Sequence, residues 1–216
     1  MAHIHRVVAI DGPAASGKSS VARQLARRLG FAYINSGAIY RAITWHVLQR
    51  GIDRGDSNQI ARTVEAARIS CRLRDSESRI SINGVDPAEY LRDDSVNENV
   101  SSVSRIRRVR EIVAEKVREY ALHQDLVVEG RDIGSVVFPE TPYKFYLDAS
   151  PDVRLRRRAA QGQRDEIATR DHADSSRPIS PLIAAKDAQT IDTSNLAIER
   201  VVNEIVARLR QMGLSI

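Results

Sequence analysis

Short apolar runs ending in loops set the frame of the chain. Val7, Val8 and Ile10 form such a run within residues 6–10, and it stops at Asp11-Gly12-Pro13, the pattern of a buried strand. Val21, Leu25 and Leu29 then recur every four residues, which predicts a helix over 19–29 with Gly30 as its stop. Residues 31–34 read as a second strand. Asn35-Ser36-Gly37 reads as a loop, and residues 38–50 as a helix ended by Gly51. This strand–helix–strand–helix order predicts an α/β fold, a parallel sheet with helices on both faces.

The middle of the chain breaks the alternation. Asp56 or Ser57 can cap a helix running through residue 68, and residues 69–73 and 79–82 look like short strands. Asn83-Gly84 is a hairpin signal, and residues 87–92 suggest a turn or short helix. Residues 60–100 therefore read as an inserted α+β subdomain with a small antiparallel sheet. Steps of three or four link Val96, Val100, Val103, Ile106, Val109, Val113 and Val117, predicting helix in two pieces over 96–123. Alternation then returns, with strands at 126–128, 143–147 and 188–191 and a closing helix over 196–212. Ser150-Pro151-Asp152 is a helix-start signature. Residues 161–177 are polar, contain Gly162 and Ser175-Ser176, and read as a mobile stretch.

Composition narrows the class. The 216 residues suit one domain, and 42% apolar with 28% charged residues is a globular mixture. Cys71 is the only cysteine, so no intramolecular disulfide can form, which fits a reducing, cytoplasmic setting. The first eight residues lack the apolar stretch of a signal peptide, and no run approaches the length of a membrane span. A soluble monomer without membrane or nucleic-acid partners is expected. Lys and Arg total 33, of which only Lys18, Lys116, Lys144 and Lys186 are lysines. The net charge of +5 fits a pocket for several phosphates, a nucleic-acid surface, or solvated helix faces.

Gly12-Pro13-Ala14-Ala15-Ser16-Gly17-Lys18-Ser19 matches G-x-x-x-x-G-K-[ST], with a strand before it and a helix, starting through Ser20, after it. In such a loop, backbone N–H groups encircle phosphate oxygens at the positive end of a helix. Lys18 can bridge the β- and γ-phosphates, and Ser19 can hold Mg²⁺. The loop argues for nucleotide binding but leaves the acceptor open.

Other candidates cluster at predicted strand ends. Leu126-Val127-Val128-Glu129 is an apolar run ending in an acid, where a residue can meet Mg²⁺ or its waters or instead pair with an arginine. Arg131 and Asp132 follow at the sheet edge where ligands of parallel sheets bind; a mutual ion pair is the alternative. Arg41 lies on the helix after Ser36-Gly37. Arg154, Arg157 and Arg158 share a helix face, and Arg170 and Arg177 lie at the end of the polar stretch. Such guanidinium groups can offset the charge of a transferring phosphate. A phosphate acceptor is already anionic and needs little general base. The five histidines have no zinc spacing with the single cysteine.

With these residues in view, the chain resembles bacterial cytidylate kinases along nearly its whole length. Beyond the phosphate loop, the resemblance is carried by Ser36-Gly37-Ala38-Ile39-Tyr40-Arg41 and by Gly130-Arg131-Asp132-Ile133-Gly134-Ser135-Val136-Val137-Phe138-Pro139. Leu147-Asp148-Ala149-Ser150 and the Arg170-Asp171, Asp174 and Arg177 stretch extend it. The resemblance implies one P-loop kinase domain over residues 1–216, with a monophosphate-binding insertion (60–100) and a mobile lid (154–178). It implies transfer of the ATP γ-phosphate, as ATP-Mg²⁺, to CMP or dCMP. Arg41 and Arg131 would hold the CMP phosphate, and Ser101, Arg110, Asp132 and Arg177 would surround cytosine. Arg170 and Asp174 would contact ribose, Ser36 and Tyr40 would shape the acceptor pocket, and Arg154, Arg157 and Arg158 would act on the donor side.

The chain departs from the family where Asn35 and Glu129 stand at positions that are commonly Asp, where Ala173 and Ser175 replace positions that can be Arg, and in its short 158–170 segment. Two other readings compete: another P-loop small-molecule kinase, and a nucleic-acid-binding ATPase. Three Phe, one Trp and six Tyr offer the latter little for base stacking.

Overall fold

A computed structural model describes residues 5–74, 77–160 and 167–215, with the side chains of 72–74, 167, 168 and 170 excepted. Among these residues seven strands form one sheet: β1 (Val7–Asp11), β2 (Ala32–Asn35), β3 (Ile69–Arg74), β4 (Glu77–Ile82), β5 (Leu126–Gly130), β6 (Tyr143–Asp148) and β7 (Gln189–Asp192). Their order is β3-β4-β2-β5-β1-β6-β7, and only the β3/β4 pair is antiparallel. The helices are α1 (Lys18–Leu29), α2 (Ser36–Gln49), α3 (Ser57–Ala66), α4 (Asp94–Ser104), α5 (Arg107–Tyr120), α6 (Pro151–Ala160), α7 (Ile167–Ser175) and α8 (Ile198–Gln211).

The apolar run of β1 is explained by burial on both faces. Val7 and Ala9 join Ile39, Ile43, Ile60 and Val113 from α2, α3 and α5. Val8 and Ile10 point the other way, toward Val21 and Leu25 of α1 and Val202 and Ile205 of α8. Strand periodicity thus divides the core into two layers around one sheet.

The phosphate-loop strand and helix, the cap at Asp56 and the split of the 96–123 helix match the expectations from sequence. Asp56 accepts from the Gln59 backbone N–H at 2.8 Å. Three expectations need correction. Ser36 and Gly37 belong to the first turn of α2, because the Asn35 side chain caps it by accepting from Ala38 N at 3.0 Å. Asn83-Gly84 does form a tight turn with positive φ at both residues, but it leads from β4 to the single bridge partner Val85; it does not join β3 to β4. The β3/β4 hairpin also meets β2 at Tyr33–Glu77, so it extends the main sheet. Within the polar stretch lies the nine-residue helix α7, whose acids are tied to arginines described below. Residues 161–166 of that stretch lie outside the described residues.

Candidate active site

The phosphate loop closes tightly between β1 and α1. Gly12 has φ 150°, and a Cβ there would lie 2.1 Å from the Leu147 carbonyl oxygen, so only glycine fits. Gly17 precedes α1 at φ 88°. Lys18 is buried and its Nζ donates to the Pro13 carbonyl at 2.7 Å, curling over the loop. Ser16 is buried with its hydroxyl unpartnered, while its carbonyl accepts from Thr193 Oγ1 at 2.8 Å.

Asp11, the last residue of β1, fastens the loop after β5. Its two carboxylate oxygens accept from the backbone N–H groups of Ile133 and Gly134, each at 2.8 Å. Burial pushes this carboxyl up to about 6, against the pull of the two N–H donors, so it stays ionised at neutral pH. Residues 133–137 form one wide turn of π type, a feature with no signature in residue pattern. Asp11→Asn should lower stability by about 1–3 kcal/mol, since an amide NH₂ would face a buried backbone N–H. Urea denaturation at pH 7.5 checks this; an unchanged midpoint and slope would refute it.

A cleft of about 770 Å³ opens along the carboxyl ends of β1, β2 and β5. Ala14, Ala15, Gly17, Lys18, Ser19 and Ser20 line its phosphate-loop end. Ser36, Tyr40, Arg41, Ser101, Arg110, Arg131, Asp132, Asp174 and Arg177 line the rest, and Arg157 and Arg158 also reach it. The acceptor-side candidates, drawn from α2, α4, α5, α7 and the β5 loop, therefore converge. The Arg170 side chain falls outside the described residues. Gly12, Pro13 and Ser16 form the loop's base without lining the cleft, and Arg154 also stands back from it.

The charged groups are paired across sequence distance. Arg110 Nη2 donates to Asp132 Oδ2 at 2.7 Å, Nη1 donates to the Ser104 carbonyl at 3.0 Å, and the guanidinium lies 5.1 Å from the Tyr40 ring centroid. Burial opposes the Arg110 charge, but Tyr40 and Asp132 outweigh it and hold its pKa above the ordinary value. Asp174 bridges two arginines: Arg131 Nε donates to Oδ2 at 2.9 Å, and Arg177 pairs with Oδ1. Burial lowers the Arg177 pKa, and the charge of Arg110 adds to that. Arg131 and Asp132 thus do not pair with each other. Arg41 is held by Asn97 Oδ1 at 2.6 Å and the Leu91 carbonyl at 2.9 Å.

Beside the phosphate loop, Arg154 pairs with Asp171, which also accepts from the Ala14 backbone N–H at 3.2 Å. Arg157 donates to Thr193 Oγ1 at 3.0 Å and to its carbonyl at 2.6 Å. Glu129 accepts from Ser19 Oγ at 2.7 Å and from the Tyr33 hydroxyl, and among the described contacts it has no arginine partner. Burial, then the charge of Glu129, raises the Tyr33 pKa, so the phenol remains a donor. Asp11, Tyr33, Asn97, Asp171 and Thr193 were absent from the sequence candidates. Thr193 follows β7 at the ligand-binding sheet edge, a signal that could have found it. The partners of Asn97 and Asp171 are set by packing alone.

A phosphate loop between β1 and α1, facing an arginine-lined cleft at the carboxyl edge of a parallel sheet, marks the P-loop class of nucleotide-binding proteins. The model of the cytidylate kinase family matches residues 8–211. A cytidylate kinase of Pelotomaculum thermopropionicum is 41% identical over 94% of this chain and 95% of its own length. One of Rhodococcus opacus is 42% identical over 93% of each. The chain belongs to the cytidylate kinase family and is a kinase. Among solved structures, an uncharacterized protein from Eubacterium ventriosum aligns with TM-score 0.50 and 11% identity over 95% of this chain and 99% of its own, a likeness of fold alone. Among the described residues, no helix is long and apolar enough to cross a membrane.

Proposed function

We propose that this kinase transfers the γ-phosphate of ATP to CMP or dCMP, giving ADP and CDP or dCDP, a step of pyrimidine nucleotide metabolism. The observation that carries the reading is the buried Arg110–Asp132 pair in the same cleft as the phosphate loop. Cytosine presents an N4 donor beside N3 and O2 acceptors, which suits a carboxylate next to a guanidinium. Ser101 and Arg177 complete that end, and Tyr40 and Ser36 wall the pocket. Arg41 and Arg131 suit the acceptor phosphate, and Asp174 with Arg170 suits the ribose.

Arg41 and Arg131 orient a phosphate oxygen of the acceptor toward the donor loop. That oxygen attacks the γ-phosphorus; the bond to the β,γ-bridging oxygen breaks, and ADP leaves with the electron pair. Lys18, with Arg154, Arg157 and Arg158 behind the transferring group, offsets the charge that spreads over its oxygens. Ser19 and Glu129 place a hydroxyl and a carboxylate oxygen 2.7 Å apart on the cleft wall, the hard donor set that Mg²⁺ takes with nucleotide phosphates and water. Bound there, Mg²⁺ supplies charge neutralisation at the donor phosphates.

The test is coupled ADP release with each nucleoside monophosphate in turn. CMP and dCMP should give the highest kcat/KM, with UMP well below and AMP and GMP lower still. A purine monophosphate as the best acceptor would overturn the reading.

A further inference from the structure

Tyr33 belongs to the sheet face packed under α1, yet its hydroxyl reaches Glu129 on the cleft wall. Each Glu129 oxygen has one hydroxyl donor, Tyr33 on Oε1 and Ser19 on Oε2 at 2.7 Å. The Glu129 backbone is fixed separately, its carbonyl accepting from Ser36 Oγ at 2.8 Å. Asn35 Nδ2 lies 3.4 Å from the Tyr33 oxygen and donates toward it. Arg23 covers the Tyr33 ring at 5.2 Å and pairs with Glu77 at 3.1 Å, so the phenol is held along its length. Glu129 is only 2% exposed, and a glutamate has one more side-chain torsion to fix than an aspartate.

The proton count explains why these residue types occur together. The Tyr33 hydroxyl has one proton, and it is engaged in the hydrogen bond that the phenol donates to Glu129. An amide at position 35 can donate to the phenol oxygen, whereas a carboxylate there would compete for the same proton and add a like charge. We infer that Tyr33 is a positioning residue: held by Asn35, its hydroxyl fixes the Glu129 carboxylate so that its second oxygen serves the divalent cation beside Ser19. Asn35 and Glu129 are then a matched pair joined through Tyr33. This rests on the reading of Ser19 and Glu129 as the residues facing the cation.

The test measures Mn²⁺ binding to the protein–ADP complex by electron paramagnetic resonance, with ADP affinity in chelator as a control for folding. Tyr33→Phe should weaken Mn²⁺ binding about 10-fold or more, as loss of a partner behind a metal-side ligand does, and leave metal-free ADP binding unchanged. In a Glu129→Gln background the same change should add less than about twofold, because its effect runs through the carboxylate. If Glu129→Gln weakens Mn²⁺ binding and Tyr33→Phe does not, the role of Tyr33 is refuted while the cation reading stands. An equal loss from Tyr33→Phe in both backgrounds also refutes it. If neither single change alters Mn²⁺ binding, the cation reading fails and this inference falls with it.

Discussion

Lys18→Ala should yield a folded protein whose phosphate transfer is at least about a hundredfold slower, in line with the loss of a preorganised charge at the transferring group. Lys18 Nζ now rests on the Pro13 carbonyl at 2.7 Å, inside the loop and beside the cleft. The side chain is therefore held close to where the donor phosphates are expected, and little reorganisation is needed. Removing it leaves the Pro13 carbonyl without that donor, a modest stability cost beside the catalytic one. Single-turnover transfer from ATP to CMP, with circular dichroism to check folding, measures the effect. Parent-like transfer in the folded variant would remove Lys18 from the mechanism.

The local elements of this fold were legible because each has a local cause. The β1 run, its break at Asp11-Gly12-Pro13 and the four-residue repeat of α1 all lie within one stretch of chain. The ends of helices were read less well where a side chain decides them. Asn35 starts α2 two residues earlier than the Gly37 break suggested, because its side chain serves as the cap. Asn83-Gly84 has the turn geometry its residues favour, yet turn chemistry does not say which strands a turn joins. Helix α7 was hidden by its polarity. Its acids pair with Arg154, Arg131 and Arg177, so the stretch is polar because it is tied across the cleft.

Many of the residues that share the cleft can be picked out in the sequence, but their pairings cannot. Arg110 and Asp132 were both singled out, but their pairing depends on how α5 packs beside β5. Asp11 reads in the sequence as part of a strand-ending turn. Its partners, Ile133 and Gly134, are more than 120 residues away, and a backbone N–H leaves no mark in a sequence. That contact has a consequence for the reaction. The same residue ends the strand that carries the phosphate loop and holds the turn that follows Arg131-Asp132. The phosphate loop and the loop after β5 are thereby fastened to one another at the sheet edge, the arrangement that the proposed transfer, dependent on positioning, requires.

Asp132→Asn should reverse much of the discrimination between CMP and UMP. The carboxylate is a pure acceptor and suits the N4 amino group of cytosine. Asparagine keeps the size but can also donate, and uracil O4 wants a donor. The ratio of kcat/KM for CMP to that for UMP should fall by about 1–3 kcal/mol, the worth of one good base-edge contact. A second effect acts on both substrates. Asp132 also accepts from Arg110 Nη2 at 2.7 Å in a buried pair, so the variant leaves that guanidinium beside a neutral group. This loss should lower kcat/KM for CMP and UMP alike, which is why the ratio, rather than either value, reports on base recognition. The measurement is kcat/KM for each substrate in parent and variant at saturating ATP-Mg²⁺. If both fall by one common factor, Asp132 serves only to hold Arg110. Cytosine preference would then have to come from Ser101, Arg110 and Arg177, which line the same end of the cleft.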